Sequence, residues 1–390
     1  MTSIKKEQQL FLVNEILRNN FEFCEKTFKD NHELLKDYNF IFVDINKVDC
    51  LEELKNDKFT DLNITSIFTK DTLKFYNYKR MLSSNAGINL EILLSLDTQI
   101  LSYLYRFKKK DDSLPESINK IIDIIDMGKY SIDFLAYFFE NALFNNTFID
   151  SEIYKDNVLT FENLKWKNGV IAELYYNKLI DLEKQLFYND IGTRWKRIYM
   201  LCYLSLLKIT HIQLNQNHLS LYEKEHELLN FFNDKVFIMP DREINLGKLF
   251  FQYGTKIKFF GKIQNGKNKD DMLKNLKNMA WDIFHIHLCY DNLIFSSANY
   301  IDFVLPCFIT YDKRLKDIEQ IYKINKIAFI KEDFNSKLVK YNVNLLSPDL
   351  QSKYFNYLSH LEREKKLENY NEKEVLNHIN SYIEELENKF

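Results

Sequence analysis

Four acidic residues, Asp97, Glu140, Asp282 and Asp312, stand where the chain pattern sets a carboxylate beside apolar residues. Asp97 follows the apolar run ILLSL and Asp312 follows FITY, so each is a charge at the exit of an expected buried strand. For one such Asp taken alone, a helix N-cap is the simpler explanation, because Asp is a favoured capping residue. Two in matching strand–Asp–helix contexts weaken it. Asp282 lies in KNLKNMAWDIFHIHLCY beside the stripe Leu276, Met279, Ala280, Ile283 and Ile286, and Glu140 is the one charged residue after Asp133 in SIDFLAYFFENALF. A carboxylate at the margin of an apolar face is desolvated unless a cation accompanies it. An Arg or Lys would serve, and so would a divalent metal. Carboxylates converging in this number hold hard ions, Mg²⁺ or Mn²⁺, through oxygen ligands, and the chemistry such ions support is hydrolysis of phosphodiesters.

The elements that must position these acids follow from periodicity. Residues 4–33 show helical spacing and precede a short apolar run, FIFVDI, at 40–45. We expect a buried strand over 91–96, a helix over 98–110, and helices near 116–127 and 131–145. A long helical stretch fills 150–256, and a helix bearing Asp282 ends near Tyr290. A second buried strand spans 303–312, against which Pro306 is a mild objection because proline donates no ladder hydrogen bond. A helix over 312–324 and a short strand at 326–330 come next. Leu376, Ile379, Ile383 and Leu386 mark one face of a C-terminal helix. Strands alternating with helices indicate an α/β class with parallel strands and right-handed crossovers. In such folds ligands gather beyond the carboxyl ends of the strands, which is where Asp97 and Asp312 fall.

These residues carry a resemblance to PIN-domain nucleases. SLDTQILSYL resembles the family's opening strand–Asp–Thr–Asn motif, with Gln99 in the third place. Glu140, on a helix preceded by Tyr130–Ser131–Ile132, is similar to the second acidic element. WDIFHIHL resembles the helix of the third acid, and CFITYDKRL the strand ending in Thr-x-Asp with the fourth. The resemblance implies a PIN-like parallel sheet flanked by helices within a predominantly helical chain. It divides the sequence into an N-terminal mostly helical region (1–88), a first core half (89–149), a helical insertion (150–271), a second core half (272–335) and a C-terminal helical region (336–390). Asp282 and Asp312 lie further apart than usual, so Asp291 and Asp302 compete for the place of the third acid. The implied activity is metal-dependent endonuclease cleavage leaving a 5′-phosphate and a 3′-hydroxyl. Asp97 and Asp312 would be the principal ligands of Mg²⁺ or Mn²⁺, with Glu140 and Asp282 orienting metal or water. Thr98 and Thr310 would support them by hydrogen bonds. His285, one turn from Asp282, is either a phosphate or metal-water contact or a packed histidine.

A nucleic-acid substrate needs positive charge. Lys256, Lys258, Lys262, Lys267, Lys269, Lys274 and Lys277 precede or open the Asp282 helix, diluted by Asp270 and Asp271, with Phe259 and Phe260 interleaved as stacking surfaces for single-stranded bases. The alternative is a solvated lysine-rich loop. Arg194, Lys196 and Arg197 around Trp195 form a lesser basic group, and Lys108 to Lys110 complement a helix dipole. The net charge of −3 excludes indiscriminate coating of nucleic acid, so binding must be local. Five scattered cysteines without a CxxC pair fit reduced thiols in a cytoplasmic protein, and no apolar run reaches the roughly 20 residues of a membrane span. Phosphate-loop, nucleophile-elbow, H-E-x-x-H and HEPN signatures are lacking. RNA is the preferred substrate, with DNA open and a stress or phage-defence setting expected by analogy. The competing reading is an inactive PIN-like scaffold that binds a protein partner, or itself, through the C-terminal helix face.

Overall fold

The computed structural model describes residues 3–44, 63–66, 72–83, 90–111, 113–128, 130–142, 152–167, 169–188, 190–263, 268–294, 302–330, 333–341 and 344–390. In chain order, the elements that matter for the site are β1 (Tyr38–Asp44), β2 (Asn63–Ser66), β3 (Thr72–Tyr76), β4 (Leu90–Leu96), α1 (Thr98–Lys108), β5 (Ser131–Asp133) and α2 (Leu135–Ala142). They are followed by α3 (Asp190–Asn215), α4 (Asp241–Tyr253), α5 (Lys269–Ile294), β6 (Phe303–Thr310), β7 (Ile324–Ile330), β8 (Asp333–Tyr341) and α6 (Glu372–Glu387). Helices dominate, and the strands form two small sheets of order β3-β1-β7-β8 and β2-β6-β4-β5. None of the described helices is long and apolar enough to cross a membrane.

The second sheet carries the acids. Its centre, β4, reads LEILLSL because both flanks are occupied and both faces are covered; Leu94, Ser95 and Leu96 are all buried. It pairs in parallel with β6 from Leu90↔Phe303 to Leu96↔Ile309, and with β5 from Leu93↔Ser131 to Ser95↔Asp133. Parallel neighbours require crossovers. That from β4 to β5 contains α1 and the helix Ser117–Met127, and that from β5 to β6 contains the whole helical stretch ending in α5. Because Leu96 faces Ile309, the next residues on both strands emerge side by side, and the Asp97 amide donates to the Ile309 carbonyl at 3.0 Å. Pro306 is accommodated one residue beyond the described β2 register, which starts at Cys307. The strand is thus kept despite the proline.

The remaining strands depart from the expected alternation. The run at 326–330 does not extend the parallel sheet. As β7 it lies antiparallel between β1 and β8, with Phe40 opposite Ala328. The N-terminal region contributes β1, β2 and β3 as well as helices. Helices Ser3–Arg18 and Phe21–Asp30 cover the first sheet through Val13, Ile16, Phe28, Phe40, Phe42 and Tyr76. The single helix expected over 312–324 is a 3-10 turn, Lys313–Asp317, and a short helix, Glu319–Tyr322. Asp317 accepts the Lys258 amide at 2.7 Å, and Ile318 turns away at φ −115°, ψ −11°, so the run divides there.

The C-terminal helix face is covered by the chain itself. Val375, Leu376, Ile379, Ile383 and Leu386 are buried, with α6 lying on α3. Arg197 forks Glu372 at 2.6 and 2.8 Å, and the Tyr203 hydroxyl donates to Glu387 at 2.6 Å. Each fully buried aliphatic side chain contributes about 1.5–3 kcal/mol before entropic costs. Of the two uses the sequence leaves open for this stripe, partner binding and packing onto the body, the structure shows packing.

Candidate metal centre

Asp97 takes the N-cap backbone conformation of α1 (φ −64°, ψ 151°) without a side-chain capping bond. Its Oδ2 instead accepts the Thr310 hydroxyl at 2.6 Å. Thr310 is itself buried, and its Oγ1 accepts the Asp312 amide at 3.0 Å, so one hydroxyl fixes the carboxylate of the first strand and the backbone leading to the second. Glu140 comes from α2, where Ala136, Tyr137, Phe138 and Phe139 are buried and hold the helix down. Its Oε2 accepts the Thr98 hydroxyl from the first turn of α1. Asp282 reaches the same place from α5, between the buried Trp281 and Ile283. The four carboxylates thus come from four separate elements, and each is partly exposed.

Their charges act on one another, although no three of them bring carboxylate oxygens within 4.8 Å of one another. Burial pushes Asp97 up to about 6, against the Thr310 hydrogen bond and with help from the Asp312 charge. Burial, opposed by the Thr98 hydrogen bond and aided by Asp97, pushes Glu140 up to about 7. Asp282 is pushed well above the carboxylate range by burial and then by Asp312, Asp97 and Glu140. Asp312 behaves oppositely. Burial acts upward on it too, but the Arg314 guanidinium holds it below its ordinary value.

Arg314 is the member of this centre that the sequence reading did not single out, although it lies two residues beyond Asp312. Its Nε donates to Asp312 at 2.8 and 3.0 Å, and Nη2 pairs with Asp312 and lies 3.7 Å from Asp282. Its Nη1 is buried without a hydrogen-bond partner. A donor so placed is costly unless an anion satisfies it. The signal in the sequence was a lone Asp-x-Arg, which carries no information until Asp282 is seen to converge on it. Asp312 is paired with the guanidinium while the other three acids are raised in proton affinity, so without a further cation the cluster is only partly ionised.

The competing acids are accounted for. Asp291 is buried and held by Lys337 at 3.0 Å, Arg194 at 3.4 Å and Trp195 Nε1 at 2.9 Å, which keeps it below its ordinary value despite burial. Asp302 lies at the opposite end of β6 from Asp312 and pairs with Lys79 at 3.7 Å. Asp133, at the end of β5, accepts the Ser95 hydroxyl at 2.7 Å and the Leu135 amide at 3.0 Å; burial raises it to about 6 while it caps α2. His285 is buried against Phe308, with ring centroids 5.1 Å apart, and burial lowers it to about 3, so it is a neutral core histidine.

The basic segment lies beside the centre, but its aromatic residues do not serve as proposed. Phe259 and Phe260 are fully buried, and Phe260 stacks on Phe250 at 4.2 Å, so neither offers a face to a base. Lys256, Lys258 and Lys262 are exposed, Lys269 is half-buried, and Lys267 lies outside the described residues. Lys262 is near enough to Asp312 to lower its proton affinity. An open cleft of about 520 Å³ runs from Glu140 along α5, lined by Asn141, Lys274, Lys277, Asn278 and Trp281 among others. Lys277 is engaged by Glu387 at 3.3 Å, whereas Lys274 is exposed. In the lesser basic group, Arg194 and Trp195 hold Asp291 and Arg197 holds Glu372, while Lys196 is exposed. Compared with known proteins, the chain matches no family model, no curated protein and no solved structure.

Proposed function

We propose that the chain is a divalent-metal-dependent nuclease with a PIN-like core, cutting single-stranded RNA at the centre formed by Asp97, Glu140, Asp282 and Asp312. The observation that supports this reading is that four carboxylates from four elements influence one another electrostatically, three of them pushed up in proton affinity; to hold a common ion their oxygens must draw closer together. Burying such a set is costly unless a cation joins it.

Mg²⁺ or Mn²⁺ bound there would polarise the scissile phosphate and make water a competent nucleophile near neutral pH. Asp97 and Asp312 are the principal ligands, the first oriented by Thr310 and the second reached through the turn that Thr310 also braces. Glu140 spends one oxygen on Thr98 and keeps the other for the attacking water. Asp282 completes the donor set. The free Nη1 of Arg314 takes a non-bridging phosphate oxygen. The strand lies along the cleft lined by Lys274, where a phosphate meets its exposed ammonium group. The preference for RNA over DNA rests on the PIN resemblance. Cleavage of labelled RNA and DNA with and without divalent metal tests the reading.

Arg314 also favours a second reading. A guanidinium bridging Asp312 and Asp282 partly neutralises the cluster without metal, as a non-catalytic PIN-like scaffold would need. Calorimetric titration with Mn²⁺ separates the two, because the scaffold binds none.

A further inference from the structure

Among the described residues, the group of three metal-ligating side chains whose donor atoms do lie close together is separate from the four acids. Cys202 on α3, Glu243 on α4 and His287 on α5 bring one donor atom each to within 4.8 Å of one another. His287 follows Asp282 by five residues on the same helix, a rotation of about 140° at 3.6 residues per turn, so the two face different sides of α5. Cys202 and Glu243 are buried, and the His287 side chain is 20% exposed, leaving a way in from solvent.

The burial of Glu243 needs an explanation. Its Oε1 accepts from His287 Nε2 at 2.8 Å and from the Tyr322 hydroxyl at 3.2 Å, and among the described residues its one ion-pair partner is His287. Of the neighbouring basic residues, Lys248 pairs with Glu225 and Lys323 with Glu319, and Arg242 pairs with Asp241 and donates to the Ile321 carbonyl. A buried carboxylate needs a cation or protonated partner. A thiol, an imidazole and a carboxylate within reach of one point form the mixed donor set of zinc, distinct from the oxygen-only set that suits Mg²⁺.

We propose that Cys202, Glu243 and His287 bind one zinc-class divalent ion, with solvent as fourth ligand. Binding releases the Cys202 thiol proton to solvent and leaves a zinc–thiolate bond; Glu243 and neutral His287 give lone pairs without redox change. The Tyr322 hydroxyl orients Glu243 from outside the ligand set, as outer partners of metal carboxylates do. Because α3 and α4 belong to the long crossover and α5 carries Asp282, the ion ties the helical insertion to the helix supplying the third acid.

The test uses the full chain and is independent of nuclease activity. The protein is loaded with zinc, exchanged into metal-free buffer and assayed for bound metal. A second portion is loaded with Co²⁺ for spectroscopy. The expected result is about one equivalent of zinc in wild type and in Asp97→Asn, with a near-ultraviolet thiolate-to-cobalt band that Cys202→Ser abolishes. His287→Gln, at the more exposed ligand, serves if circular dichroism shows that Cys202→Ser does not fold, and it is expected to lose most of the zinc. Folded wild type that holds neither metal would overturn the proposal. So would cobalt bound without a thiolate band, or zinc retained in both ligand variants. Loss of zinc in Asp97→Asn alone would place the ion in the acidic centre and overturn it equally.

Discussion

The Thr310 hydroxyl donates to the Asp97 carboxylate at 2.6 Å, joining the carboxyl ends of the two parallel strands that carry the principal acids. The same oxygen accepts the Asp312 amide. Replacing Thr310 with Val keeps the β-branched shape suited to a strand but removes both interactions. We expect Thr310→Val to weaken Mn²⁺ binding about 10- to 100-fold, the range seen when outer partners of metal ligands are lost. Calorimetry checks it; unchanged affinity would show that Thr310 serves packing alone.

Proton affinity gives the centre a pH signature. Glu140 near 7 and Asp97 near 6 lie above the values these groups have in an unfolded chain. Between those values the folded protein holds more protons than the unfolded one, so without metal its stability falls as pH rises through about 4 to 7. In EDTA the unfolding midpoint should decline from pH 5 to pH 8 by more than in Glu140→Gln. Mn²⁺ should restore stability at pH 8 and do little at pH 5, where Asp97, Glu140 and Asp282 are protonated. A Mn²⁺ effect equal at both pH values would contradict the assignment.

Arg314 pairs with Asp312 and lies near Asp282, so in the proposed centre it would compete with metal for both. Removing it in Arg314→Gln takes away the cation that holds Asp312 below its ordinary value. We expect tighter Mn²⁺ binding, by about tenfold or one charge-assisted pair, together with slower cleavage because the phosphate loses the Nη1 donor. Weaker metal binding in this variant would show that Arg314 organises the ligands.

Lys274 faces the open cleft beside Glu140. Lys274→Glu should weaken single-stranded RNA binding several-fold and lower the slope of log affinity against log salt by about one phosphate contact. Metal affinity should be unchanged. Phe259→Ala, in contrast, should destabilise the protein by about 3–5 kcal/mol, as for a buried aromatic.

What could be read from the sequence was local. Asp97 and Asp312 stand out because a charge ending an apolar run leaves a mark within ten residues, and the strands expected over 91–96 and 303–312 correspond to β4 (Leu90–Leu96) and to β6, which ends two residues earlier at Thr310. Long-range pairing leaves none. Phe40 opposite Ala328 joins the two ends of the chain in an antiparallel sheet, so the run at 326–330 reads as another parallel strand until its partner is known. The stripe Leu376, Ile379, Ile383 and Leu386 is plain as a helix face, but not that α3 covers it. Arg314 and Phe259 show the same limit from opposite sides. One became part of the centre through a contact with Asp282, and the other was withdrawn from solvent by packing in the core.

The central claim is tested most directly by incubating labelled single-stranded RNA and DNA with the wild-type chain, Asp97→Asn and Asp312→Asn in Mn²⁺, Mg²⁺ or EDTA. The account predicts cleavage of RNA by wild type in Mn²⁺ or Mg²⁺, leaving 5′-phosphate ends, with EDTA and both variants reduced to background. Cleavage that persists in EDTA or in both variants would contradict it. So would an intact substrate in every lane with no Mn²⁺ bound, which would leave the four acids and Arg314 as the charge network of a scaffold.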